Sequence, residues 1–311
     1  MKKWSLLLVG VLMLALVGSV SAQGTTFSDE ELEAIEFVSE AVDTFLALES
    51  YTAEGENVLA QDISIAGTTI TQELVQELAG DYAIDEDGMV SAAVTINQTI
   101  DQVGAGMNIS GGMVMEIVVA EETLYARVSD TTGAMAGMFP DGWVNVNENP
   151  NAIAGMSAIN TDQYVNLFSS QVGYPVNEDS IDAITELDSV EGEDGQELRV
   201  FVVEYNVDYL DESGALDQAL GAFDFTQFGL SQEDADALIE SFLDGMELKT
   251  TMRIGADDGL IYGLDSDMQV EAEFSGAITQ GQTMTIAQTV TYAIRFSGFN
   301  EPVEIDVPDV N

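Results

Sequence analysis

The sequence predicts an α+β fold dominated by a long-stranded antiparallel sheet with one wet and one oily face, and three observations carry that expectation. From Leu248 to Phe296 apolar and polar residues alternate through three strand-length segments. Leu248, Thr250, Met252 and Ile254 fall in one phase, as do Tyr262, Leu264, Met268, Val270 and Phe274, then Met284, Ile286, Val290, Tyr292, Ile294 and Phe296. Asp265, Asp267, Glu271, Glu273, Thr285, Thr289, Thr291 and Arg295 take the other phase. Side chains on a strand alternate faces with period two, so this pattern places water on one side and a cover on the other. The same alternation recurs in the first half of the chain. The third observation is an amphipathic stretch ahead of the strands, able to supply part of the cover.

That stretch begins near Ser28, where Ser28 and Glu31 have capping-box spacing. Leu32, Ile35, Val38, Val42, Phe45 and Leu46 then recur at helical intervals. A weak strand follows to about Ile65, and a clear one carries Ile70, Leu74, Leu78, Tyr82 and Ile84 on one face. Asp85-Glu86-Asp87-Gly88 reads as a hairpin turn, because Asp-Gly supplies the backbone geometry of such turns. The return strand sets Val90, Ala92, Val94, Ile96 and Ile100 against Ser91, Thr95, Asn97, Thr99 and Asp101. Met113, Met115, Ile117 and Val119 mark the next strand, and Leu124, Ala126 and Val128 the one after. The Gly-, Ala- and Met-rich stretch Thr131 to Pro140 interrupts the pattern and is expected to be an oily, mobile loop. A helix is expected over Thr161 to Gln171, then a hairpin from Ile181 through Glu191-Gly192-Glu193-Asp194-Gly195 into a strand from Arg199 to Tyr209. Helices at Leu216 to Phe223 and Ser231 to Leu243 precede the final three strands. This order suggests two similar halves without a residue-level repeat.

Met1 to Ala22 has the form of a secretory signal peptide: Lys2 and Lys3, an apolar run from Leu6 to Val17, and small residues at Val20-Ser21-Ala22. Cleavage before Gln23 would leave one domain over 23–311, located outside the cytoplasm. The chain has no cysteine and no histidine. Disulfides, thiolate or imidazole metal sites, Ser-His-Asp chemistry and a lipid-bearing cysteine are therefore excluded. The formal charge is −49, and losing Lys2 and Lys3 takes it to −51. Such a chain repels a phosphate backbone, which excludes nucleic acid as a partner. The acids are spread along the whole length, as a surface adapted to salt requires. The turns at Asp85, Glu193 and Asp257-Asp258-Gly259 resemble fragments of calcium loops but lack the full ligand spacing. Methionines stand in the apolar phase of several strands, and such flexible side chains suit surfaces that accept varied apolar partners as well as they suit ordinary cores.

One segment carries a family resemblance. Phe296-Ser297-Gly298-Phe299-Asn300-Glu301-Pro302-Val303-Glu304-Ile305-Asp306-Val307-Pro308 resembles the closing segment of the mycobacterial LppX and LprG lipoproteins. The helix passing through Leu46-Ala47-Leu48-Glu49-Ser50 into Tyr51-Thr52 agrees, as does Gly142-Trp143-Val144 after the central loop. That family shares the fold of the LolA and LolB carriers. The resemblance implies a strongly curved antiparallel half-barrel whose concave apolar face is covered by helices, leaving room for acyl chains. The lipobox cysteine of the family is missing here, so the chain is not expected to be a lipoprotein.

The expected function is a non-catalytic, extracytoplasmic binding or carrier protein for a lipid or other apolar small molecule. It needs no cofactor and no metal, is expected to be monomeric, and would contact a membrane or envelope protein transiently. The expected lining is Met113, Met115, Phe139, Trp143, Phe168, Met252, Met268, Met284 and Tyr292. An envelope sensor of the same fold acting through a protein partner is the alternative reading, and a hydrolase using two carboxylates the third.

Overall fold

A computed structural model describes residues 26–84, 90–121, 123–137, 139–149, 174–193, 195–212, 243–274 and 283–310, with the isolated positions 172, 237 and 241. The signal segment, the turn at Asp85, the expected helix containing Phe168 and the helix at Leu216 lie outside the described residues, as does most of the helix at Ser231.

Eleven strands form one antiparallel sheet that curves without closing. They are β1 (Ser50–Ile65), β2 (Thr68–Ile84), β3 (Val90–Gly104), β4 (Met107–Ala120), β5 (Thr123–Gly133), β6 (Val144–Asn145), β7 (Ile181–Glu191), β8 (Glu197–Tyr205), β9 (Met246–Gly255), β10 (Ile261–Phe274) and β11 (Met284–Ser297). Their order across the sheet is β6-β5-β4-β3-β2-β1-β11-β10-β9-β8-β7. Two up-and-down meanders, one from each half of the chain, are thus joined where β1 pairs with β11 over fourteen residues, from Thr52 opposite Ser297 to Ile65 opposite Met284. The turn Ala66-Gly67 has positive φ at both residues, which gives the hairpin twist its strands require.

Helix α1 (Asp29–Leu46) packs on this sheet. Its capping box forms as expected, with the Ser28 N–H donating to Glu31 Oε2 at 2.7 Å and the Glu31 N–H to Ser28 Oγ at 3.3 Å. The buried stripe is Ala34, Ile35, Val38, Ala41, Val42 and Phe45, while Leu32 and Leu46 are exposed. Phe45 seats the helix, with ring centroids 5.0 Å from Tyr51 and 4.7 Å from Phe296. Phe37 reaches Phe201 on β8 at 5.5 Å.

Three sequence expectations need correction. The strand expected to reach Tyr209 stops at Tyr205, because Asn206 Oδ1 accepts the Tyr209 N–H at 3.1 Å and starts the short helix α2 (Val207–Glu212). Ile261, not Tyr262, takes the core position at the head of β10, because a bulge lies between Ile261 and Gly263. Tyr262 instead donates to Asp258 Oδ2 at 2.8 Å. The stretch from Thr131 is a continuation of β5 as far as Gly133, beyond which Met135 turns into the core.

The segment behind the family resemblance fastens the ends of two strands. Asn300 donates its backbone N–H to the Ser50 carbonyl at 2.9 Å and accepts the Glu49 N–H at Oδ1, also at 2.9 Å. Ser50 Oγ donates to the Glu301 carbonyl at 2.6 Å. Beyond it, Val303 and Ile305 lie beside Ala83, Ile84 and Ser91 around an open depression of about 230 Å³.

Candidate functional site

Neighbouring strands share a register, so the inner side chains line up in rows running across the sheet. Nearest α1 the row is Phe296, Ala53, Gly80, Val94, Ile117 and Ala126. The next is Leu264, Ile294, Gly55, Leu78, Ile96 and Met115. Gly55 is required there, since a Cβ would stand 2.4 Å from the Ala293 carbonyl oxygen.

The row after that is polar, and its chemistry changes the picture. Thr250, Ser266, Tyr292, Asn57, Gln76 and Gln98 face one another across six strands. Thr250 and Ser266 share a hydroxyl hydrogen bond of 2.9 Å. Asn57 Nδ2 donates to Gln76 Oε1 at 3.2 Å, and Gln76 Nε2 to Gln98 Oε1 at 3.0 Å. An apolar row of Met268, Val290, Leu59, Leu74 and Ile100 follows. Then comes a second polar row: Gln288, Gln61, Gln72 and Gln102.

Every residue of this second row is almost fully buried, with at most 3% of its surface exposed. Gln61 Nε2 donates to Gln288 Oε1 at 2.8 Å. Gln61 Oε1, Gln72 Nε2 and Gln102 Oε1 have no hydrogen-bond partner in the protein, and neither does Asn57 Oδ1 in the row above. Buried polar atoms are nearly always partnered, because leaving one unpaired costs about 1–3 kcal/mol. Tyr51 and Tyr205 also hold buried, unpartnered hydroxyls. Burial raises the Tyr51, Tyr205 and Tyr292 phenols far above their ordinary value and pushes Tyr174 up to about 12.

The face holding these rows is uncharged. In the inward phase of β9, β10, β11, β1, β2, β3 and β4 there is no Asp, Glu, Lys or Arg, although the chain has 56 acids. The five basic residues beyond the signal segment each pair with an acid on a neighbouring strand: Arg127 with Glu116, Arg199 with Glu186, Lys249 with Glu204, and both Arg253 and Arg295 with Asp265. Among the described residues no cluster of three carboxylates could hold a metal ion. In the Asp257-Asp258-Gly259 turn, Asp258 Oδ1 accepts the Leu260 N–H at 3.0 Å, so this carboxylate supports the hairpin.

Of the expected lining residues, Met113, Met115, Met252, Met268, Met284 and Tyr292 all stand in the inward phase, but on four different strands rather than around one point. Met252 and Met268 are sealed in the core, whereas Met113, Met115, Met284, Tyr292 and Phe139 are partly buried at its margin. The Trp143 ring lies 5.0 Å from the Arg127 guanidinium, which belongs to the opposite phase from Ala126 and Val128. The polar rows are absent from the sequence expectation. Their signal is Leu59-Gln61-Ile63, Ile70-Gln72-Leu74 and Ile96-Gln98-Ile100-Gln102, where a carboxamide keeps the apolar phase.

No protein-family model matches the chain, and no curated protein matches it. Among solved structures it is similar to a DUF1329 family protein from Desulfovibrio piger, at 8% identity over 89% of this chain and 95% of that one, with a TM-score of 0.24. The translocator domain of the autotransporter NalP from Neisseria meningitidis shows 9% identity over 85% and 94%, also at 0.24. A beta-barrel-like DUF1849 protein from Brucella abortus shows 9% identity over 80% and 99%, at 0.15.

Proposed function

We infer that this protein is an extracytoplasmic, non-catalytic carrier that holds a lipid or other apolar molecule between the curved sheet and its helices, in the manner of the LppX and LprG lipoproteins but without their lipid anchor. The observation that carries this reading is the uncharged inner face across seven strands of a chain with 56 acids. Helix α1 packs at one end of that face, where Phe45 meets Phe296, and in this reading the ligand enters between the sheet and the elements that cover it. Burying each methylene of an acyl chain is worth about 0.8 kcal/mol, so one long chain supplies affinity without any charged contact. The signal-peptide form of Met1 to Ala22 supports an extracytoplasmic location, and the absence of His and Cys suits a role without chemistry. Native mass spectrometry of protein purified from a lipid-containing host, followed by organic extraction, tests it. A stoichiometric co-purifying lipid is the expected result. A ligand-free mass, with no uptake of a fluorescent fatty-acid analogue, would move the weight to an interaction module acting through a protein partner.

A further inference from the structure

The sheet is unlike at its two ends. At one, the turns carry Glu121, Glu191, Glu193, Asp257 and Asp258, and the C-terminal segment beside Ile84 and Ser91 brings Glu301, Glu304 and Asp306. At the other, Ile65 faces Thr68 and Met284, Ile70 faces Gly104, and Gly104 faces Met107, so the tips of the β1–β2 and β3–β4 hairpins and the start of β11 come together. No Asp, Glu, Lys or Arg occurs over 63–72, 102–115 or 284–294, although charged residues make up 20% of the chain. The two tips repeat one turn: Ala66-Gly67 and Ala105-Gly106 have positive φ throughout, with the alanines at 54° and 51°. Asn, Asp or Gly is the usual occupant of such a position, because a Cβ crowds the left-handed backbone. A chain this rich in Asp nevertheless sets Ala there twice, giving up turn stability for a tip with no charge and no polar side chain. Val103, two residues behind Ala105, is 55% exposed, more than any other large apolar side chain among the described residues.

We propose that these two hairpin tips dock the protein on the interface of a zwitterionic bilayer, with Val103 and Ile65 among the head groups and the acidic end turned to water. This goes beyond the carrier reading by giving the molecule a membrane-facing end, and it is tested without any ligand. Strands rise about 3.3 Å per residue, so along these hairpins the first acids, Asp62 and Asp101, stand about 13 Å behind Ala66 and Ala105. Interfacial segments sink about 5–10 Å, which the tips can do before either acid meets the head groups. On β10, Glu273 stands level with Ser64, so the molecule enters tilted toward β3 rather than with its whole end. The exposed Thr68, Thr69 and Asn108 offer the head groups hydrogen bonds without charge. Two narrow projections supply little of the roughly 800 Å² that each partner buries in a protein complex, whereas lipid closes around each tip. A formal charge of −49 repels an anionic bilayer, which leaves zwitterionic lipid as the partner.

Flotation with phosphatidylcholine vesicles tests this, using protein exported and processed by a secreting host. The unaltered protein should float with the vesicles. The double variant Ala66→Asp, Ala105→Asp should bind about tenfold more weakly, and Ala66→Asn, Ala105→Asn should lose less. Asp and Asn both suit the left-handed turn, so neither variant should unfold in urea earlier than the unaltered protein. Beyond the Trp143 emission common to both, Val103→Trp should be quenched by brominated phosphatidylcholine, and Val190→Trp, at the acidic end and 43% exposed before substitution, should not. Failure of the unaltered protein to float would overturn the proposal and leave the uncharged end as a contact for a protein. Asp variants that float as well as the unaltered protein, or equal quenching at the two positions, would overturn it too. Each of these results leaves the carrier reading to the extraction experiment, which asks for bound lipid and not for vesicle contact.

Discussion

Tyr51 shows how one side chain links burial to stability. It is 2% exposed, stacks on Tyr82 at 4.8 Å and meets Phe296 edge-on at 5.8 Å, yet its hydroxyl has no partner. Desolvation disfavours the phenolate, so its pKa rises, as it does for Tyr82, Tyr174, Tyr205 and Tyr292. The unfolded chain ionises these groups near pH 10, while the folded chain does so only at higher pH. Below that pH their contribution to stability is complete. Above it the unfolded state binds fewer protons, and stability falls by about 1.4 kcal/mol per group for each pH unit until the folded pKa is reached. Cooperative alkaline unfolding is therefore expected above about pH 10. Near-ultraviolet phenolate absorbance from these buried tyrosines should rise together with the loss of circular dichroism. A rise that precedes unfolding would show that the buried phenols ionise in place. Neither the cluster nor the amide rows was legible in the sequence, for one physical reason. Alternation tells which face a Tyr, Asn or Gln occupies, but only the inter-strand register tells what stands beside it. Met268 was legible as an inward residue, whereas its place between two polar rows was not.

At the scale of the element, strand positions were legible wherever the polar face carries charge. The alternation in β3 from Val90 to Ile100 and in β9, β10 and β11 from Leu248 to Phe296 was enough to place those strands. Edges and ends were not, since Asn206 stops β8 through a side-chain contact that the alternation of β8 does not reveal. The outward face itself mixes attraction and repulsion. On β2, Glu73 stands directly opposite Asp101, and Glu77 opposite Glu56. On β10, Gly263 leaves room for Arg295, which with Arg253 approaches Asp265 from either side at 2.6 and 2.5 Å. Neutralising one acid should thus act in opposite directions at the two places. At about 0.1 M salt, Glu73→Gln should raise the free energy of unfolding by about 0.2–1 kcal/mol by relieving a like-charge pair. Asp265→Asn should lower it by about 1 kcal/mol by stranding two guanidinium groups. Urea titrations of both variants check this, and effects of the same sign would mean that local pairing does not govern the charged face.

The whole molecule is a sheet with its polarity turned inside: acids outward, hydrocarbon and amides inward. A sheet facing lipid with its outer surface needs an apolar outer band, and Glu54, Glu56, Asp62, Glu73, Glu77, Asp101 and Glu116 occupy that phase here. Water is therefore the outer solvent of these strands. The price is self-repulsion, since a formal charge of −49 is borne by 311 residues and the five basic residues beyond the signal segment are already engaged in pairs. Screening decides whether the compact state tolerates it. The screening length falls from about 10 Å at 0.1 M salt to about 3 Å at 1 M, shorter than the spacing of most surface acids. The midpoint of urea unfolding is accordingly expected to rise through that range, and protein unfolded by dialysis into dilute buffer is expected to refold when salt is restored. Sucrose at equal osmotic strength, which screens nothing, should not substitute. If the midpoint stays flat while Glu73→Gln still stabilises, repulsion is confined to facing pairs such as Glu73 and Asp101. A rise with salt that sucrose cannot reproduce would instead show that the summed field sets the stability of the sheet.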